Sequence, residues 1–306
     1  MKIEFRGSFV AIVTPFKKEG KIDRKALEKI VAWQIEQGSD GIVCCGATGE
    51  GIALSEKEKL EAVRICLSAA GKKLLVIGGS GTASTAESVK LTEKMGKLGV
   101  AGALVVTPYY NKPTAKGCIA HYTEVAKTGV PLIPYYNPKR TGVVLKPEAL
   151  GEIGAIRGVA ALKDSGGDIE FTKKLKQLSP APILSGDDDM TFETLEAGGV
   201  GAISVIGNVF PKQWKEMIDL GLKRKWKEAK RINDRFMPLC KAMFIEPNPQ
   251  CIKWLGSWLG INPPYMRLPL LMPEESTRSK IRGTFIRMGL PQFQIVTEEK
   301  RAAFFR

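Results

Sequence analysis

The chain has 306 residues, 44% of them hydrophobic, and a mean hydropathy of −0.07. It can bury one large core, and its dispersed glycine and proline exclude a disordered or low-complexity polymer. The formal charge of +14 comes without an RNP, zinc-finger or basic-zipper pattern, so a solvated basic surface that attracts small anions is favoured over nucleic-acid binding.

The amino end, Met1-Lys2-Ile3-Glu4-Phe5-Arg6, alternates charge with apolar residues and lacks the apolar core of a signal peptide. No apolar run reaches membrane-spanning length, so a soluble cytoplasmic protein with no membrane partner is expected. From there short apolar runs predict strands at 8–13, 41–45, 74–78, 102–106, 131–135, 158–162, 182–185 and 200–205. Most are continuously apolar, as parallel strands covered on both faces are.

Helices fill the intervals and carry their own punctuation. Asp23 caps a helix with Leu27, Ile30 and Val31 on one face, and Gly38 closes it. Ser55 with Glu58 forms a capping box ahead of Leu60, Val63 and Leu67, with Gly71 as the stop. Ser84 with Glu87 repeats the device, and Gly99 ends that helix. Strands alternating with helices fit a closed barrel or an open doubly wound sheet, and a count of eight favours the TIM (β/α)8 barrel. Beyond residue 205 the strands stop. Helices at 214–222, 226–240 and 276–288 predict a barrel over 1–222 with a helical C-terminal subdomain over 223–306, whose last stretch, 292–306, is expected to be loosely held.

Several motifs fail. Gly79-Ser80-Gly81 opens like a dinucleotide fingerprint, but the third glycine position is Ser84, and no P-loop is present. The six cysteines include the adjacent Cys44 and Cys45 but no CxxC pair, and His121 is the one histidine, so no metal is expected. His121 itself, beside Tyr122, reads as structural.

Chemistry in a TIM barrel sits at the carboxyl ends of the strands. Lys163 follows Val159-Ala160-Ala161-Leu162, so its amine emerges from an apolar strand. Burial disfavours a lysine's charged form and frees the lone pair that attacks a ketone, whereas a plain strand-end lysine would pair with Asp164. Tyr135 closes the neighbouring strand and is either a proton shuttle or a core aromatic. Thr48 stands in a tight turn whose amides suit a carboxylate, and Arg140 offers a planar fork for a second one.

Five ordered strings then carry a resemblance. They are Ala11-Ile12-Val13-Thr14-Pro15-Phe16, Gly46-Ala47-Thr48-Gly49-Glu50, Val106-Thr107-Pro108-Tyr109-Tyr110-Asn111, Ser185-Gly186-Asp187-Asp188 and Glu246-Pro247-Asn248-Pro249. Over nearly its full length the chain resembles the dihydrodipicolinate synthase / N-acetylneuraminate lyase family. The resemblance implies a cofactor-free lyase with a covalent lysine–pyruvate imine on Lys163 and Tyr135 as general acid/base. It implies that Thr48 and the Ala47 backbone bind the pyruvate carboxylate, and that Gly186 and Ile203 line the site. It further implies a homotetramer, a dimer of dimers in which Tyr110 reaches the neighbouring subunit's site. Pro138-Lys139-Arg140-Thr141-Gly142 is similar to the synthase branch, where the arginine binds the carboxylate of L-aspartate 4-semialdehyde. The implied product is 4-hydroxy-tetrahydrodipicolinate, on the route to diaminopimelate and lysine. A sugar-acid lyase, or a catalytically impaired paralogue, stands as the alternative.

Two departures from the pattern qualify these expectations. Ala47 replaces a threonine whose hydroxyl links the two tyrosines, so Ala47→Thr is expected to raise turnover. At the positions matching the lysine-sensitive branch's feedback site stand Ala83, Glu56 and Lys59, with Glu87 and Tyr109 retained, so feedback by lysine is expected to be weak.

Overall fold

The protein is described here by a computed structural model that covers residues 4–289; the predicted tail at 292–306 lies outside them, as does that part of the 223–306 region. Eight parallel strands close into a barrel in sequence order, β1 (Gly7–Ala11), β2 (Gly41–Cys44), β3 (Leu75–Gly79), β4 (Gly102–Val106), β5 (Leu132–Tyr136), β6 (Leu162–Asp164), β7 (Ile183–Ser185) and β8 (Gly201–Ser204). Between them run α1 (Arg24–Glu36), α2 (Glu56–Ala70), α3 (Thr85–Leu98), α4 (Ala115–Ala126), α5 (Pro138–Thr141), α6 (Pro147–Ala155), α7 (Ile169–Leu178) and α8 (Thr191–Glu196). After β8 come α9 (Pro211–Leu222), α10 (Trp226–Ala242), α11 (Gln250–Trp258) and α12 (Glu275–Arg287). Among the described residues no helix is long and apolar enough to cross a membrane.

The helix signals act as their chemistry dictates. Asp23 accepts from the Ala26 amide, and Ser55 and Glu58 form the reciprocal box that satisfies two orphan donors of α2. Ser84 accepts from the Glu87 amide, and Gly99, at φ +95°, closes α3 in the left-handed region. The single histidine, His121, lies in α4 with Nδ1 3.0 Å from the Thr85 hydroxyl, and burial pushes it down to about 4. All six cysteines are buried free thiols.

Two differences from the sequence reading matter. The sixth strand is displaced from 158–162 to Leu162–Asp164, because Gly158 turns the chain at φ +105° and only Val159 bridges back to Leu132. Lys163 therefore lies inside the ladder, in register with Tyr135, rather than past its end. The second difference is α11, which pattern reading passes over. It is only nine residues long, follows a turn-rich stretch, and all nine of its residues are buried, Gln250, Lys253 and Ser257 on its polar stripe included.

The core has two shells. Inside the barrel, Phe5, Phe9, Ile77, Leu104, Ile133 and Ile203 fill the lumen in layers. Outside it a continuous cluster joins strands to helices and runs on into α9–α12, with Trp214 and Phe236 fully buried. Truncating such an aromatic to alanine costs about 3–5 kcal/mol. The seam between β1 and β8 depends on glycine. At Gly201, φ +153°, a Cβ would stand 2.0 Å from the Gly7 carbonyl oxygen.

Candidate active site

Register brings the two sharpest sequence candidates together. Tyr135 pairs with Lys163 across β5 and β6, and the Lys163 amine lies 4.2 Å from the centre of the Tyr135 ring. Both are buried, at 6% and 5% exposure. The Lys163 side-chain amine has no hydrogen bond or ion pair among the described residues. Its neighbour Asp164 is committed elsewhere, accepting from the Gly166 amide at 2.9 Å and the Thr172 hydroxyl at 2.7 Å. The salt-bridged lysine of the bland reading is therefore not what the fold builds. The nearby Asp187 carboxyl is pushed up by burial, with the Lys163 charge pulling the other way.

Gly186 makes room for the amine. A Cβ there would come within 2.8 Å of Lys163 Cε and 2.1 Å of Ser165 Oγ, so the lysine arm occupies the space a side chain would take. Asp188, the next acidic residue but one, is fully buried and accepts from the Val205 and Ile206 amides at 3.0 and 2.7 Å. Burial pushes this carboxyl up to about 6. Its role is to pin the end of β8 beside β7.

A small cavity at the strand ends is lined by Ala47, Thr48, Tyr135, Asn137, Arg140, Lys163, Gly186, Asp187 and Asn248 among others. It shares Ala47, Tyr135, Arg140 and Asn248 with a larger cavity of about 310 Å³ that reaches Gly51, Lys59 and Tyr109. The Ala47 and Thr48 amides have no acceptor among the described residues, and both residues line the small cavity. The turn is set by strained backbone: Cys45 and Glu50 both take left-handed φ, at 59° and 52°.

Side chains from distant parts of the chain hold that turn. Asn248 donates to the Thr48 hydroxyl at 3.0 Å, and its carbonyl accepts from the Arg140 guanidinium at 3.0 Å. Glu50 is buried against Lys253 of α11 at 2.5 Å, and Lys253 also donates to the Thr14 carbonyl at 2.7 Å. Thr14 in turn donates to the Gly49 carbonyl at 2.6 Å. Burial lowers Lys253 to about 8.

Not every sequence candidate meets in this space. Ile203 is fully buried in β8 among the residues that fill the lumen and lines neither cavity. Tyr110 is 90% exposed at φ +68°, with its ring open to solvent, and lines neither cavity, although its neighbour Tyr109 lines the larger one. Sequence reading missed Asn137, Asn248 and the Glu50–Lys253 pair. Asn137 had a signal, since Asn before Pro138 caps a helix; Lys253 had none, being one lysine among many.

Known proteins with this arrangement are numerous. A sequence model described as the dihydrodipicolinate synthetase family matches residues 4–286. The 4-hydroxy-tetrahydrodipicolinate synthase of Thermodesulfovibrio yellowstonii is 41% identical over 289 residues, 94% of this chain and 99% of that protein. That of Syntrophus aciditrophicus is 39% identical, with the same coverage of 94% and 99%. Among solved structures, dihydrodipicolinate synthase from Aquifex aeolicus superposes with a TM-score of 0.91 at 34% identity, covering 94% of this chain and 99% of that one. The chloride-inhibited dihydrodipicolinate synthase from Acinetobacter baumannii, solved with pyruvate, gives 0.91 at 37% identity, covering 93% and 99%.

Proposed function

The chain belongs to the dihydrodipicolinate synthetase family, and on that premise we propose that it condenses pyruvate with L-aspartate 4-semialdehyde to 4-hydroxy-tetrahydrodipicolinate. The observation that carries this reading is a buried lysine amine without a counterion, beside a tyrosine, at the end of a cavity with free amides and an arginine.

In this reading the neutral Lys163 amine adds to C2 of pyruvate, and loss of water gives the imine. The pyruvate carboxylate sits on the Ala47 and Thr48 amides, with the Asn248 amide holding the Thr48 side chain in place. Tyr135 takes a proton from C3, which turns the imine into an enamine. The enamine carbon attacks the aldehyde, and the proton returns through Tyr135 to the aldehyde oxygen. The semialdehyde's amino group then attacks C2, closes the ring and releases Lys163, so one water leaves per turnover. Arg140 holds the semialdehyde carboxylate through guanidinium N–H groups not engaged by Asn248. All the chemistry runs on the lysine amine, so the reaction calls for no metal or cofactor. The relatives named as synthases weigh against a sugar-acid substrate.

Tyr110, exposed and held in a left-handed conformation, fits a residue that completes a neighbouring subunit's site. With Ile52, 80% exposed and lining the larger cavity, it fits a surface covered by a second copy, and we propose a dimer of dimers acting in the cytoplasm. The decisive experiment is mass spectrometry after pyruvate and borohydride, followed by a coupled assay with L-aspartate 4-semialdehyde. A reduced pyruvyl group on Lys163 and product formation are expected; labelling of another lysine overturns the assignment. Sedimentation tests the assembly, and a fully active monomer overturns that part alone.

A further inference from the structure

Asn137 stands between β5 and α5, two residues after Tyr135, and is 8% exposed. Both ends of its side-chain amide are engaged. One atom lies 3.0 Å from the Arg140 backbone N–H, which can only donate, so that atom is Oδ1. The other is therefore Nδ2, and it stands 2.9 Å from the Tyr135 phenol oxygen. An amide nitrogen has no lone pair to offer, so Asn137 donates and the phenol oxygen accepts. The phenol O–H is left to find an acceptor elsewhere.

Among the described residues Tyr135 has no other hydrogen bond through its oxygen. Ala47 lines the same cavity and presents only a methyl group. Asn137 lines it too, alongside Lys163. The carbonyl of Asn137 accepts from the Thr141 hydroxyl and amide, so the residue is fixed by its backbone as well as its side chain.

We propose that Asn137 is the positioning residue for Tyr135 in this chain: it holds the phenol oxygen and leaves the phenol proton for the substrate, while capping the turn that carries Arg140. The inference rests on Tyr135 being the acid/base of the proposed reaction. It supplies by another route the partner that a residue with a hydroxyl at position 47 would offer, and it couples the proton-transferring group to the carboxylate clamp through one amide.

The test separates the two ends of that amide. Asn137→Ser keeps a cap for α5, since serine is a good N-cap, but is too short to reach the phenol. Asn137→Asp keeps the acceptor for the Arg140 amide and reverses the bond to Tyr135, whose proton would then be drawn to the carboxylate. Both variants are expected to lose about tenfold in kcat, with KM for the semialdehyde and borohydride labelling of Lys163 within about twofold of the parent, since one hydrogen bond to a reacting group is being removed. Ala47→Thr is expected to recover a larger factor in the Asn137→Ser background than it gains in the parent chain. Unchanged kcat in both single variants, or a loss confined to KM for the semialdehyde, overturns the proposal and leaves Asn137 a plain helix cap. Full turnover in Tyr135→Phe would instead remove the acid/base reading beneath it.

Discussion

Lys163 and Lys253 are both withdrawn from solvent, at 5% and 0% exposure. Their surroundings differ in kind. Lys253 faces a carboxylate, a backbone carbonyl and the Phe16 ring at 4.4 Å, so most of its hydrogen-bonding capacity is met. Lys163 lies against an aromatic ring and lines a cavity, with Asp187 near enough to feel its charge but no hydrogen bond from its amine among the described residues. Burial alone does not mark a nucleophile. A buried lysine with partners joins two parts of a structure; one without partners, opening on a cavity, is held ready for a substrate that will take its place in a covalent bond.

Exchanging the two roles by mutation tests the contrast most severely. Lys163→Ala should abolish pyruvate labelling and cut turnover by at least about 10³-fold, as loss of a covalent nucleophile does, while the unfolding midpoint in urea moves little. A variant that still turns over at a tenth of the parent rate would end the nucleophile assignment. Lys253→Met should show the opposite profile. It leaves Glu50 as an uncompensated buried charge, at a cost of about 3–5 kcal/mol in urea unfolding, and Glu50→Gln added to it should return at least half of that. A cost below about 1 kcal/mol would mean the pair is not the joint we describe.

His121 sharpens the comparison with a third buried base, which has neither a counterion nor a cavity to serve. Burial holds it at about 4, against an ordinary value of 6.5. Below pH 6.5 the unfolded chain takes up a proton that the folded chain refuses, so stability is full above 6.5 and falls as the pH drops towards 4. The expected loss over that window is about 2–3 kcal/mol, and it should vanish in His121→Phe. Urea unfolding at pH 7 and pH 4.5 decides it; equal pH dependence in both proteins would contradict the assignment.

The smallest effect expected is an absence of response to L-lysine. Lys59 lines the far end of the larger cavity, where burial lowers its affinity for a proton, and Glu56 is engaged by Lys94 and Lys90. A cationic ligand meets a cation there and finds the nearby carboxylate taken. Initial rates should hold within about 20% at millimolar L-lysine, far below the change a bound, hydrogen-bonded ligand produces; half-inhibition at micromolar lysine would reverse this reading.

The barrel was legible in the sequence because its strands are uniformly apolar and its helices carry punctuation at both ends. Seven of the eight strands fall within two residues of their predicted limits, and the eighth moved because a glycine turned the chain early. Lys163, Tyr135, Thr48 and Arg140 could be read because each lies in or just past the carboxyl-terminal part of a strand. What could not be read depends on contacts between remote residues. Nothing local distinguishes Lys253 from other lysines, and α11, nine residues long after a turn-rich stretch, is too short for its period to stand out. The amide that reaches Tyr135 from Asn137 likewise becomes visible only when the turn is folded.

The joint between Glu50 and Lys253 also sets a timetable. The two residues are 203 positions apart, and Lys253 lies 239 positions from Thr14, whose carbonyl it also holds. A ribosome making this chain has finished all eight strands before it reaches Lys253, or Arg267, whose backbone N–H donates to the second Glu50 oxygen at 3.0 Å. Until then the carboxylate must stay hydrated, and the turn that cradles an anion cannot settle. The growing chain thus carries the proposed nucleophile, Lys163, well before the Glu50 turn gains its partner from α11.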